Sequence, residues 1–180
     1  MGVKPRIEPL PEEEWSDLLR GVLDGMPGGL ERPMNIFTTM ARHPDLFDKW
    51  VRFGNQLLMR STIPAREREL IILRTATNSN SPYEWAQHVR IGLAAGLTDE
   101  EIEAARLPVG DREWSDSDAL LLRAVDELDA SCNLSDETWD ALAERYDERQ
   151  MIEFPMLVGH YKMVAGALNS LRVQIEPTGG

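Results

Sequence analysis

Apolar residues recur along this chain at three- and four-residue intervals, the spacing of a helix with one face turned inward, and strand-like alternation is almost absent. Trp15, Leu18, Leu19 and Val22 predict a first helix over residues 12–23, broken by the Gly/Pro-rich stretch 25–29 that contains Pro27. A short helix follows over 34–42. A third, over 45–59, carries Leu46, Phe47, Trp50, Val51, Phe53, Leu57 and Leu58 around so much of its circumference that enclosure between neighbours is expected. Pro64 opens a fourth helix running to Asn78, and the polar turn Asn78-Ser79-Asn80 leads into a fifth over 82–95, closed by Gly96. Thr98 with Glu101 forms a capping-box pattern for a sixth. A linker over 111–118 precedes a seventh with Leu120, Leu121, Ala124, Val125 and Leu128 on its apolar side. Ser135 caps an eighth, and the ninth runs over 148–173, where Pro155 either kinks it or marks its start. The expectation is an all-α bundle of about nine helices, with no repeat and no linker, folded as one domain over 1–180.

Composition narrows the function classes. A chain of 180 residues buries about 70% of its unfolded surface and needs neither disulfide nor metal to fold. Its one cysteine, Cys132, excludes an internal disulfide. The formal charge of −12, with scattered basic residues, argues against nucleic acid and against an anionic membrane surface. No signal peptide is read at the N-terminus, and no stretch approaches the ~18 apolar residues of a membrane span. A cytoplasmic protein with a small-molecule substrate is the expectation.

The informative region is residues 66–97. On the fourth helix Glu69 projects among Ile72, Leu73 and Ala76, so a carboxylate points into an apolar face, where it must find a partner or hold a proton. Glu67 shares a face with Arg74 and is expected to stay solvated. On the fifth helix Glu84 and His88 share one face. If helices four and five form an antiparallel hairpin, Glu69 comes near them, giving two carboxylates and an imidazole, a set suited to general acid–base work. Plainer readings stand beside this one. Ser81 and Glu84 also fit a capping box with Pro82 at the first helical position, His88 fits a satisfied core histidine, and Glu69 fits an ion pair with Arg66, Arg68 or Arg74. Tyr83 and Trp85 read first as packing residues and, together with His160 and Tyr161, are the candidates for substrate contact. Glu69, Glu84 and His88 are of residue types that ligate a divalent cation, but no His-Glu-x-x-His pattern is present, so neither metal nor cofactor is expected. Cys132 has no histidine near it in sequence.

Several blocks together resemble the carboxymuconolactone decarboxylase-like superfamily, which includes the alkyl hydroperoxidase D proteins. They are Asn35-Ile36-Phe37, Ala41-Arg42-His43-Pro44-Asp45-Leu46, Pro64 to Leu70, Ile72-Leu73-Arg74, Tyr83 to His88, Gly92, and Ala95-Gly96-Leu97-Thr98, all within a core region 35–98. The resemblance implies an alkyl hydroperoxidase D-like bundle and a homo-oligomer, a trimer or hexamer, with sites near subunit contacts. In the hydroperoxidase branch two cysteines begin the helix that here carries Ser81 and Glu84, so a thiol peroxidase cycle has no thiols at those positions. The decarboxylase branch has a glutamate four residues before the histidine, which makes Glu69, Glu84 and His88 its implied functional residues. The expected activity is that of a cofactor-independent decarboxylase or proton-transfer enzyme on a small carboxylated molecule. The alternatives are a peroxidase-like oxidoreductase and a non-catalytic helical oligomeric binding protein.

Overall fold

The computed structural model describes residues 4–26 and 29–177. The described residues form nine α-helices: α1 (Asp17–Asp24), α2 (Asn35–Met40), α3 (Pro44–Met59), α4 (Ala65–Asn78), α5 (Pro82–Ala94), α6 (Asp99–Ala104), α7 (Asp116–Ser131), α8 (Asp136–Ala143) and α9 (Glu148–Leu171). The all-helical expectation is met. The chain divides into two compact units, one of residues up to Gln56 and from Ala167 on, the other of Leu57–Gly166.

In the first unit α1 starts later than its apolar spacing suggests. Glu12–Glu14 is a separate 3₁₀ turn, and Ser16 caps the helix proper by accepting from the Leu19 amide at 3.2 Å. A local cap thus overrides the longer periodic run. Helix α1 ends at Asp24, and Pro27, expected to break it, lies outside the described residues. Leu19, Leu23, Ala41 and Phe47 form the buried core, with the rings of Phe37, Phe47 and Trp50 meeting at centroid distances of 5.9 to 6.5 Å. The chain ends are tied in: the Arg6 amide donates to Leu171 O at 2.8 Å, and the Asn35 amide donates to the Glu176 carboxylate at 2.6 Å. The expected enclosure of α3 is not found in the single chain. Phe47 and Leu57 are buried, but Leu46, Phe53 and Met59 are exposed, because apolar residues at nearly every azimuth cannot all face one core.

The second unit is organised around α4. Glu69, Leu70, Ile71, Ile72, Leu73, Arg74, Thr75 and Ala76 are buried in succession, so the helix is enclosed on every side rather than along one stripe. Ile71 and Ile72 pack with Leu121 and Val125 of α7 and Phe154 and Leu157 of α9. Leu70, Leu73 and Ala76 pack with Trp85 of α5, Ile102 of α6 and Leu122 of α7. Helix α5 folds back on α4 through a turn in which Asn80 takes a left-handed conformation (φ 48°). The approach is close at Gly92, where a Cβ would stand 3.1 Å from Leu97 Cδ1, 3.4 Å from Leu73 Cδ1 and 3.8 Å from Glu69 Cβ. The capping box of Thr98 and Glu101 starts α6, and Ser115 and Ser135 cap α7 and α8. Pro155 lies inside a continuous α9 and so neither begins nor breaks it, leaving the Met151 carbonyl without its usual intrahelical donor. No helix among the described residues is long and apolar enough to cross a membrane.

Candidate active site

A helix enclosed on all sides must account for each charge it carries inward. Glu69, fully buried, does so with two donors. Its Oε2 lies 2.7 Å from His88 Nδ1 on α5, and its Oε1 accepts from Arg68 Nε at 3.0 Å. Arg68 is the next residue back along the same helix, a position that does not ordinarily face its neighbour. Arg66 and Arg74, which sequence offered as equal candidates, are engaged elsewhere. Arg66 pairs with Glu101 and Asp118, and Arg74 with Asp126. Glu67 does not remain solvated but accepts from the Tyr146 hydroxyl and pairs with Arg145 at 3.0 Å, partners far away in sequence.

The carboxylate at Nδ1 has a direct consequence for His88. It favours the tautomer with hydrogen on Nδ1 and leaves Nε2 as the nitrogen that exchanges a proton. The edge of the imidazole meets Tyr161 of α9, ring centroids 5.0 Å apart at 88°, and Tyr161 in turn meets His160 at 5.4 Å. Burial first, and then the negative charges of Glu69 and Glu84, push the Tyr161 phenol well above its ordinary range, with Arg68 offsetting a little. Burial also holds His160 down to about 4, so it is neutral near pH 7.

Glu84 sits in the first turn of α5, one turn before His88, and is 3% exposed. The capping box proposed for it is not formed. Ser81 occupies the N-cap position with φ −106° and ψ 89°, and its side chain makes no cap hydrogen bond. Neither Glu84 oxygen has a hydrogen-bond partner among the described residues; the nearby Ser81 hydroxyl lowers the proton affinity slightly without bonding well. Burial dominates and raises the Glu84 carboxyl to about 8, so it holds its proton at neutral pH. An oriented imidazole and a neutral carboxylic acid thus lie on one face of one helix.

The remaining candidates go different ways. Trp85 belongs to the core beside Leu70, Leu73 and Ile102, and its ring carries the Arg106 guanidinium at 3.6 Å from its centroid. Tyr83 is buried in the same turn of α5. Cys132 is exposed at the left-handed C-cap of α7 and is not one of the cluster's residues. Among the described residues no group of three or more His, Cys, Asp or Glu is arranged to hold a metal ion. Arg68 is the one member of the cluster that sequence reasoning left undistinguished, since its pattern marks it no more than Arg66 or Arg74.

No curated protein matches the chain by sequence. Its fold is similar to that of an alkylhydroperoxidase AhpD core, an uncharacterized peroxidase-related protein from Ralstonia eutropha JMP134, with TM-score 0.84 and 16% identity over 98% of this chain and 95% of that one. It is similar also to an uncharacterized peroxidase-related protein from Silicibacter sp. TM1040, with TM-score 0.78 and 12% identity over 96% and 90% of the two chains. A third similar structure is a cysteine-to-alanine variant of the debrominase Bmp8 in complex with 2,3,4-tribromopyrrole, with TM-score 0.75 and 20% identity over 98% and 95%. Residues 44–127, which contain Glu69, Glu84 and His88, match the model of the carboxymuconolactone decarboxylase family. In that segment and in its fold the chain is similar to the carboxymuconolactone decarboxylase-like, alkyl hydroperoxidase D-like proteins.

Proposed function

We propose that the protein is a cofactor-independent acid–base enzyme acting on a small carboxylated organic molecule, by decarboxylation or by proton transfer of the lactone type. The observation that carries this reading is the buried Glu69–His88 pair at 2.7 Å, with a protonated Glu84 one turn away. In a decarboxylation the bond to the carboxylate carbon breaks, CO2 leaves, and its electron pair passes into the adjacent unsaturated system. Glu84 is suited to donate a hydrogen bond to the oxygen on which charge gathers. His88, once Nε2 has taken up a proton and the ring is an imidazolium facing the Glu69 carboxylate, is suited to deliver that proton from Nε2 to the carbon that lost CO2. Tyr161 and His160 would line the reacting molecule's position, with Tyr83 behind them. Trp85 is better explained by packing. The similarity to a debrominase solved with a halogenated pyrrole supports a fold able to hold a small planar ligand. The enzyme is taken to be cytoplasmic and to work as a homo-oligomer, a trimer or hexamer.

The test is a mass-spectrometric screen of carboxylated lactones, unsaturated dicarboxylates and β-keto acids. It compares the wild type with His88→Ala and with Glu84→Ala/His88→Ala. A product lighter by one CO2, made by the wild type and slowed about 10²–10⁴-fold in His88→Ala, is the expected result; undiminished turnover in that variant would remove His88 from the chemistry. The similarity to peroxidase-related proteins favours a second, redox reading. Organic hydroperoxide consumption that needs a thiol reductant and disappears in Cys132→Ser would replace the acid–base reading with that one.

A further inference from the structure

Beside Arg74 the second unit opens into a cleft of about 520 Å³, lined by the C-terminal part of α4, residues 106–109 and one face of α7. In a chain of net charge −12 this cleft gathers three arginines, Arg74, Arg106 and Arg123. They are not equivalent. Arg74 forms a two-pronged pair with Asp126, both contacts 2.7 Å, and its Nη1 donates to the carbonyls of Ala105 and Leu107. Asp126 accepts a further bond from Asn78 at 2.8 Å. Arg74 and Asp126 therefore cancel, and Asp126 has little left to offer the other two cations.

Arg106 and Arg123 keep their charge. Arg106 is fixed over the Trp85 ring and touches Glu103 at 3.4 Å, a pair exposed on both sides and worth little in water. Arg123 is exposed and makes no hydrogen bond or ion pair among the described residues. Its acidic neighbour Glu127 acts on it only through space, because the Glu127 carboxylate is taken up by Ser135 and Thr138. Two further features belong to the cleft. Thr77 Oγ1 is buried with no hydrogen-bond partner among the described residues, and Leu107, Pro108 and Val109 supply an apolar wall.

We propose that this cleft is a second binding site, for a small dicarboxylate with an apolar body. Two guanidinium groups on different elements each match the planar fork of one carboxylate. The apolar wall suits a carbon chain between the charges, which a compact anion lacks. The proposal is independent of the acid–base reading of the His88 cluster.

Isothermal titration of the full chain with adipate tests it, with uncharged adipamide and inorganic phosphate as parallel probes. Saturable adipate binding is expected to weaken as salt rises, and to fall at least about tenfold in Arg106→Gln/Arg123→Gln. It should already weaken in Arg123→Gln alone and remain unchanged in His88→Ala. Adipamide should not bind. Absence of saturable adipate binding would overturn the proposal, as would equal binding of adipamide, loss of binding in His88→Ala but not in the arginine variants, or phosphate binding where adipate fails.

Discussion

Arg74 and Glu69 are carried by the same buried stretch of α4, yet their surroundings differ in kind. Arg74 is met by Asp126 of α7 and by the main-chain carbonyls of Ala105 and Leu107, all within the same unit. Around Glu69 the accounting does not close: Glu84 is buried with neither oxygen bonded, and the Tyr161 ring lies edge-on against His88. A saturated polar network holds helices in place. One left short of partners retains hydrogen-bonding and proton-transfer capacity that a bound molecule can use.

That contrast breaks most visibly at Arg74. Arg74→Met leaves Asp126 without its cation and two carbonyls without their donor, and should cost about 3–5 kcal/mol, read from the urea midpoint. The Glu84 side should behave in the opposite sense. Its folded-state proton affinity lies above the unfolded value, so the native state binds more protons between about 4.5 and 8, and stability falls as pH rises through that window. Glu84→Gln removes the decline. The variant should match the wild type near pH 4 and exceed it by roughly 4–5 kcal/mol at pH 9, measured by denaturation at each pH. The smallest effect belongs to the surface pair Lys162–Asp129 at 2.9 Å, where Lys162→Met should change stability by under about 1 kcal/mol. A larger loss there would show that saturation matters less than the contrast supposes.

Much of this was readable along the chain. Helix caps at Thr98 and Ser135 are local events within four residues, and the inward direction of Glu69 follows from helical geometry alone. Glu84 and His88 share a face for the same reason. The partners were less legible. Glu67 meets Tyr146 and Arg145, and Arg74 meets Asp126, across separations that no local spacing encodes. The Ser81–Glu84 capping pattern misled because the right residue types stand there while the backbone of Ser81 takes another conformation. Trp85, a near neighbour of His88 in sequence, is turned by the helix toward the α6 side of the core.

Gly92 takes no part in proton transfer and meets no substrate in this reading, but it sets how near α5 lies to α4. A single methyl group at that position would crowd Leu97 and Leu73 and press toward the Glu69 stem. A contact of 2.7 Å between Glu69 and His88 tolerates little widening. The site's weakest point under mutational drift is thus a residue without a side chain. A change there would leave every reactive group in the sequence untouched while moving two of them out of register, a loss of function that an inventory of active-site residues would not register.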